Sequence, residues 1–393
     1  MGAPTNNNTL TNLIPDVYAA LDVVARELVG FIPAVTRDMT ADRVAVGQTL
    51  RVPQTAANTA GRDIVPAMAM ATAANQTIGN SPLTLTKSRA FPFSWSWEDR
   101  YAVDQGPGAL TLNQQQIAQA IRAAVNEIEY DLAYEIYRNS SRNAAVADTS
   151  VFKTNLADLA NQKKILDDNG APMSERAFIM STTCGAAMRA LTQLSSVDSS
   201  GDANLLRQGV LGNIYGFQIR ESAQIQSPAI GTTANAVLAS TATTVGQTTF
   251  TLKNAGTGTL VVGDVVTIGT GDPNRYVVTA STATTTVAAA TFSIAAPGLR
   301  VAQGAAEHAV TVIAQGQRNI SLARPAVLLA TRLPEMDPND LAFDRQVITD
   351  PISGLSFEVA GFPGYRMATY EVSVAWGVKV LRPEYIAQLH GAA

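Results

Sequence analysis

Between Gln224 and Gln303 the chain carries only five charged side chains in 80 residues, Lys253, Asp264, Asp272, Arg275 and Arg300, while Thr, Ala, Val and Gly dominate. Short apolar runs (TTFTL, TLVVGDVVTIG, RYVVTAST, TTVAAATFSI and HAVTVIA) recur there between glycine-rich turns. Brief strands punctuated by turn residues predict a small β-barrel or sandwich. TLVVGDVVTIG reads as strand, tight Gly-Asp turn and strand, and TGDPNRY as a longer exposed turn. Mixed character returns beyond Arg318, so the segment from about 226 to 316 reads as a domain inserted into another.

The flanking sequence is patterned differently. A chain of 393 residues exceeds one core of ordinary size, so more than one folding unit is expected. Residues 1–43 form an arm whose helix starts near Pro15 and stops before Pro33, with Val17, Leu21, Val24, Leu28 and Phe31 on one face. Residues 44–100 read as a long projecting hairpin, because Thr55 to Ser81 holds few large apolar residues and cannot build a core. Its return arm places Phe91, Phe93, Trp95 and Trp97 on one strand face, for packing on its own domain or on a neighbouring subunit.

Residues 101–225 open with the clearest helix, Asn113 to Ser141, whose stripe Ile117, Ile121, Val125, Ile128, Leu132 and Ile136 marks a spine. Thr111 and Gln114 make a capping box before it, and Glu127, Glu129, Asp131 and Glu135 read as its solvated face. Beyond it are expected a helix from about Val151 to Asn169, the strand AFIMS, a helix from Ser181 or Thr182 to about Leu194, a turn at Gly209, Gly212 and Gly216, and the strand FQIRES. Residues 317–393 return to mixed strands and close on a short helix, PEYIAQL.

Chemistry is scarce. Only His308 and His390 exist, both expected at the surface or an edge, which disfavours His-rich metal sites and histidine bases. Cys184 is the single cysteine, so no intrachain disulfide can form; a buried small side chain is the expectation. No nucleotide-loop, GxSxG, HExxH or calcium-loop motif occurs, and neither an enzyme nor a cofactor is expected. The chain is 15% charged against roughly 25% in an average globular protein. Extensive subunit interfaces would cover such a surface. A net charge of −4 argues against tight nucleic-acid binding. The first residues show no signal-peptide pattern and no apolar run spans a bilayer, so synthesis in the cytosol and no membrane partner are expected.

The run NTLTNLIPDVYAALDVVARELVGFIPAVTRD resembles the start of the coat proteins of short-tailed, Salmonella-infecting phages, and the order of elements resembles that family over nearly the whole chain. The resemblance implies an α+β fold, that of tailed-phage and herpesvirus major capsid proteins: N-arm, extended loop, spine helix, peripheral and axial domains, with an inserted small β-barrel. It implies a structural homo-oligomer of pentamers and hexamers in an icosahedral shell, with a scaffolding protein, a portal protein and weakly contacted double-stranded DNA as partners. It places the chain in the virion, and in the host cytoplasm during assembly. In some members of that family the insert touches a neighbouring capsomer through a hairpin tip, which in this sequence would be GDPNRY with Asp272 and Arg275; the alternative is an ordinary solvated turn. Some fold relatives crosslink through Lys and Asn; Lys87 is the one candidate and matches no motif, so no crosslink is expected. The rival expectation is an adhesin or decoration protein that binds through the Thr-rich β-domain.

Overall fold

The computed structural model describes residues 27–55, 78–104, 109–144, 151–195, 211–253, 256–336, 341–350 and 353–391. Two sheets and one long helix organise these residues. The helix, Ala109–Arg138, covers most of the expected spine, starting four residues before Asn113 and ending three before Ser141. It begins early enough that Thr111 lies inside it rather than at its cap. Ile121, Val125, Ile128, Leu132 and Ile136 are all buried, as the 3.6-residue repeat requires.

The first sheet is built around the strand Met367–Val380. One edge of that strand pairs with Lys87–Ser96; the other pairs with Ser356–Gly364 along its first half and Val327–Pro334 along its second. Asp344–Thr349 and Thr36–Val44 flank it, the latter in parallel with Val327–Pro334. The second sheet centres on Arg176–Met180, Gln317–Ala323 and Ile386–Gly391. In Arg176–Met180 the two faces divide by period two: Ala177 and Ile179 join the long helix, whereas Phe178 and Met180 join the helices Ala157–Asp168 and Thr182–Arg189. The long helix is therefore packed against both sheets, and its stripe contributes to one continuous core.

Several expectations change. Pro33 sits inside a short 3-10 turn, Ile32–Ala34, followed by the strand Thr36–Val44, so residues 27–44 lie on the chain's own core rather than continuing a free arm. The remainder of the expected arm helix, residues 1–26, falls outside the described residues. The hairpin is seen at its base, where Thr49–Thr55 pairs antiparallel with Ile78–Thr84; residues 56–77 are outside the description. Gly377 is where that base meets the first sheet: a Cβ there would lie 2.4 Å from the Thr84 carbonyl oxygen, so a side chain would push the hairpin off.

PEYIAQL is not a helix. Pro383–Tyr385 makes one 3-10 turn and Ile386–Gly391 is a fully buried strand between Gln317–Ala323 and Arg142–Asn143. Pairing on both edges outweighs local helical spacing. In TLVVGDVVTIG only Val265–Ile268 is a strand, because the buried Asp264 carboxylate accepts the backbone N–H groups of Gly231 and Val261 and turns the first half into a loop.

The segment 236–312 has its own hydrophobic cluster, with Phe250 stacked on Phe292 at 5.4 Å. Its strands Thr249–Thr251, Val265–Ile268, Tyr276–Ser281, Thr291–Ile294 and Val310–Val312 pair with one another. They join the second sheet through a single register pair, Tyr276 with Arg142.

Candidate functional site

The long helix carries a junction in which its acidic residues do structural work. Glu129, expected on a solvated face, is 1% exposed. Its Oε1 accepts the Gly30 and Phe31 N–H groups at 2.6 and 2.7 Å and the Ser222 hydroxyl at 2.8 Å, and its Oε2 accepts the Ile32 N–H at 3.0 Å. Residues 30–32 adopt no regular strand or α-helix, so their donors need such a partner. Burial pushes this carboxyl above the ordinary range against the pull of its donors. Two turns and one turn earlier on the same helix, Arg122 and Asn126 bind Glu27, holding its carboxyl down at about 2, with the Arg122 hydrogen bond the largest cause.

The helix holds the hairpin base by the same means. Lys87 donates to Asp131 at 2.8 Å and Glu127 at 3.2 Å, and its ammonium lies 5.7 Å from the centre of the Trp376 ring. Trp376, wholly buried, donates its indole N–H to Asp131 at 2.9 Å. Glu135 is half-buried, and desolvation raises its carboxyl. The expected solvated face is therefore a set of clamps. Sequence shows that these carboxylates share a helix, but not that segments about a hundred residues before and after, at Gly30 and Ser222, converge on one of them.

Of the aromatic candidates, three lie on the strand Lys87–Ser96 against their own sheet. Phe91 packs on the main core, Phe93 stacks on Tyr370 at 5.6 Å, and Trp95 donates to Gln116 at 2.6 Å. Trp97 starts the helix Trp97–Asp104 instead, 49% exposed. It lines a surface pocket of about 650 Å³ with Tyr101, Tyr365 and Met367. The turn GDPNRY is not wholly exposed. Asp272 is buried, accepting the Tyr276 hydroxyl at 2.6 Å and the Asn274 backbone N–H at 2.9 Å, whereas Pro273 is exposed and Asn274 and Arg275 are half-buried.

His390 is a correction too. It is buried beside Arg318, which donates to its Nδ1 at 2.6 Å. Burial and then the Arg318 charge lower its imidazolium to about 4. Cys184 is buried, and burial raises its thiol rather than activating it. Among the described residues no three His, Cys, Asp or Glu side chains gather as metal ligands, and no helix is long and apolar enough to cross a membrane.

These groups set an acid response in two windows. Neutral burial of His390 means that the unfolded chain binds the extra proton first, so stability falls as pH drops from about 6.5 to about 4. Glu27 works in a lower window: its contribution is present above about 4.5 and is lost as pH falls to about 2. Because the raised carboxyls of Glu129 and Glu135 act with the opposite sign in the upper window, the measurement is a difference: urea titrations of His390→Gln and the parent should diverge there and run parallel below it. An unchanged upper slope would remove His390 from the account.

No protein-family model matches the chain, and no curated protein sequence does either. Solved structures do. A chain from Mycobacterium phage Che8 superposes with a TM-score of 0.51 at 14% identity, covering 97% of this chain and 98% of that one. A chain in the capsid structure of the cyanophage P-SCSP1u gives 0.52 at 13% identity, covering 98% and 96%. At such identities the likeness concerns the fold, and it runs end to end.

Proposed function

We propose that this chain is the major capsid subunit of a tailed bacteriophage, a structural protein that assembles into pentamers and hexamers around double-stranded DNA. The observation that carries the reading is the agreement in fold, over 98% of this chain, with a chain of a cyanophage capsid. The junction supports it: a hairpin whose described base rises from the core, gripped by the long helix, suits a segment that reaches across a neighbour. In this reading residues 226–316 are an inserted β-barrel domain, a scaffolding protein and a portal guide assembly, and the particle forms in the host cytoplasm. Among the candidate contact residues, Trp97 is the exposed one, and Phe91, Phe93 and Arg275 are half-buried.

Electron microscopy of the protein co-produced with its scaffolding protein should show closed shells. A chain that stays monomeric under every assembly condition and binds glycan would replace this reading with that of an adhesin. Shells should run on denaturing gels as monomer bands, because Lys87, paired with Asp131 and Glu127, is held as an ammonium and is no nucleophile. A covalent ladder would contradict that.

A further inference from the structure

The insert leaves the core and returns to it at one place. The Arg318 backbone N–H donates to the Gln226 carbonyl at 2.9 Å, and the Gln315 side chain to the Ser227 carbonyl at 3.2 Å, so its two ends run side by side. Further along, a narrow seam joins it to the core. Tyr276 shares its one register pair with Arg142, the Asn143 N–H donates to the Arg275 carbonyl at 2.9 Å, Arg142 donates to the Asn274 side chain at 3.0 Å, and Gly263 lies against the Tyr137 ring. A cleft of about 190 Å³, with Arg142, Asp168, Pro273 and Arg275 in its lining, already enters this seam. A unit that has its own hydrophobic cluster and is attached in this way can part from its neighbour without unfolding.

His390 and Arg318 lie beneath the seam. They are register partners on adjacent strands, both buried, and Arg318 Nη1 donates to His390 Nδ1 at 2.6 Å. The Nε and Nη2 of Arg318 have no partner, so this guanidinium depends on His390 for its side-chain hydrogen bond. His390 Nε2 faces the insert's exit: a Cβ on Gly316 would lie 2.7 Å from it. The charges that act on His390 are both positive, Arg318 from its own sheet and Arg275 from the insert's turn. The acid of this region, Asp264, acts on Arg318 from the insert, together with Tyr137 of the long helix, and its carboxylate is engaged by the Gly231 and Val261 N–H groups. A proton on Nδ1 removes the acceptor from Arg318 and sets another positive charge against Arg275 across the seam.

We propose that protonation of His390 opens this seam and releases the insert from the core, an acid-operated hinge in a chain that otherwise stays folded. In the open form His390 meets water and takes up its proton at the ordinary histidine value, near 6.5; in the closed form burial and then the Arg318 charge delay uptake to about 4. A proton bound more readily by the open form favours opening, tenfold for each pH unit between those two values. The hinge is independent of the capsid reading.

The test is hydrogen exchange followed by mass spectrometry on the unassembled full-length chain from pH 7 to pH 4, with rates corrected for the chemical dependence of exchange on pH. Peptides spanning Asn143 report the seam, because its N–H bonds the insert's Arg275. The strands Thr291–Ile294 and Arg176–Met180 report the interiors of the insert and of the core. Exchange at the seam should speed up on the order of 100-fold between pH 7 and pH 4, while both interior strands keep their protection. His390→Gln keeps an acceptor for Arg318 and takes up no proton, so its seam should stay closed at pH 4. Arg275→Gln, at a half-buried position, removes the insert's charge and should reduce the acceleration several-fold. Thermal melting at pH 7 checks that both variants fold. Protection lost in all three regions together would mean general unfolding and overturn the hinge. So would a seam that exchanges alike at pH 7 and pH 4, or a variant that accelerates as much as the parent, which would place the responding group elsewhere.

Discussion

Glu129→Ala should cost the unassembled chain about 3–6 kcal/mol in urea unfolding, the largest effect of any single substitution outside the apolar core. The carboxylate accepts three consecutive backbone N–H groups, from Gly30, Phe31 and Ile32, and the hydroxyl of Ser222. Truncation leaves these donors buried without water, each costing about 1–3 kcal/mol when unpaired. Glu129→Gln keeps one acceptor oxygen but turns an amide N–H₂ toward the remaining donors, so about half the loss is expected. Amide exchange at residues 30–32 should speed up in both variants, which locates the damage. Unfolding within about 1 kcal/mol of the parent for Glu129→Ala would show that the segment finds other partners.

Trp376→Ala is the second, with an expected loss of about 3–5 kcal/mol. Its ring is wholly buried in the core that joins the first sheet to the long helix, and the substitution leaves a cavity that rigid neighbours fill only in part. The indole also donates to Asp131, the carboxylate that holds Lys87 at the hairpin base. Trp376→Phe retains most of the volume and removes that bond, so a loss of about 1 kcal/mol is expected. Lys87 is partly exposed and its ion pairs alone are worth about 0–1 kcal/mol, so Lys87→Met should do much less than either. Urea midpoints of the three variants rank the contributions. Equal losses for Trp376→Ala and Trp376→Phe would mean that the hydrogen bond, not the packing, dominates.

Periodic features were legible before any coordinates. The stripe from Ile121 to Ile136 placed the long helix to within a few residues, since one apolar face at 3.6-residue spacing has only one way to be buried. The strand AFIMS and the run of short strands between Thr249 and Val312 followed from composition and turn residues. The chain's last residues were misread because Ile386 and Leu389 suit a helix face as well as a strand, and a six-residue segment takes whichever form its neighbours can pair with.

Polar residues resisted reading for a different reason. Glu127, Glu129, Asp131 and Glu135 share one type of side chain and one helix, yet Glu129 is buried against the chain's early segment and Asp131 grips Trp376. Asp272 and Arg275 share one turn, yet the first faces inward to Tyr276 and the second lines a pocket. A charged side chain states its chemistry in the sequence but not its partner, because the partner is brought by the packing of residues far away along the chain. What the sequence determined by itself was local: period, turn, the charge-poor insert and the scarcity of catalytic side chains. What only the tertiary structure decided was which donors met which acceptors, because burial of the apolar faces fixes those meetings and no short-range pattern encodes them.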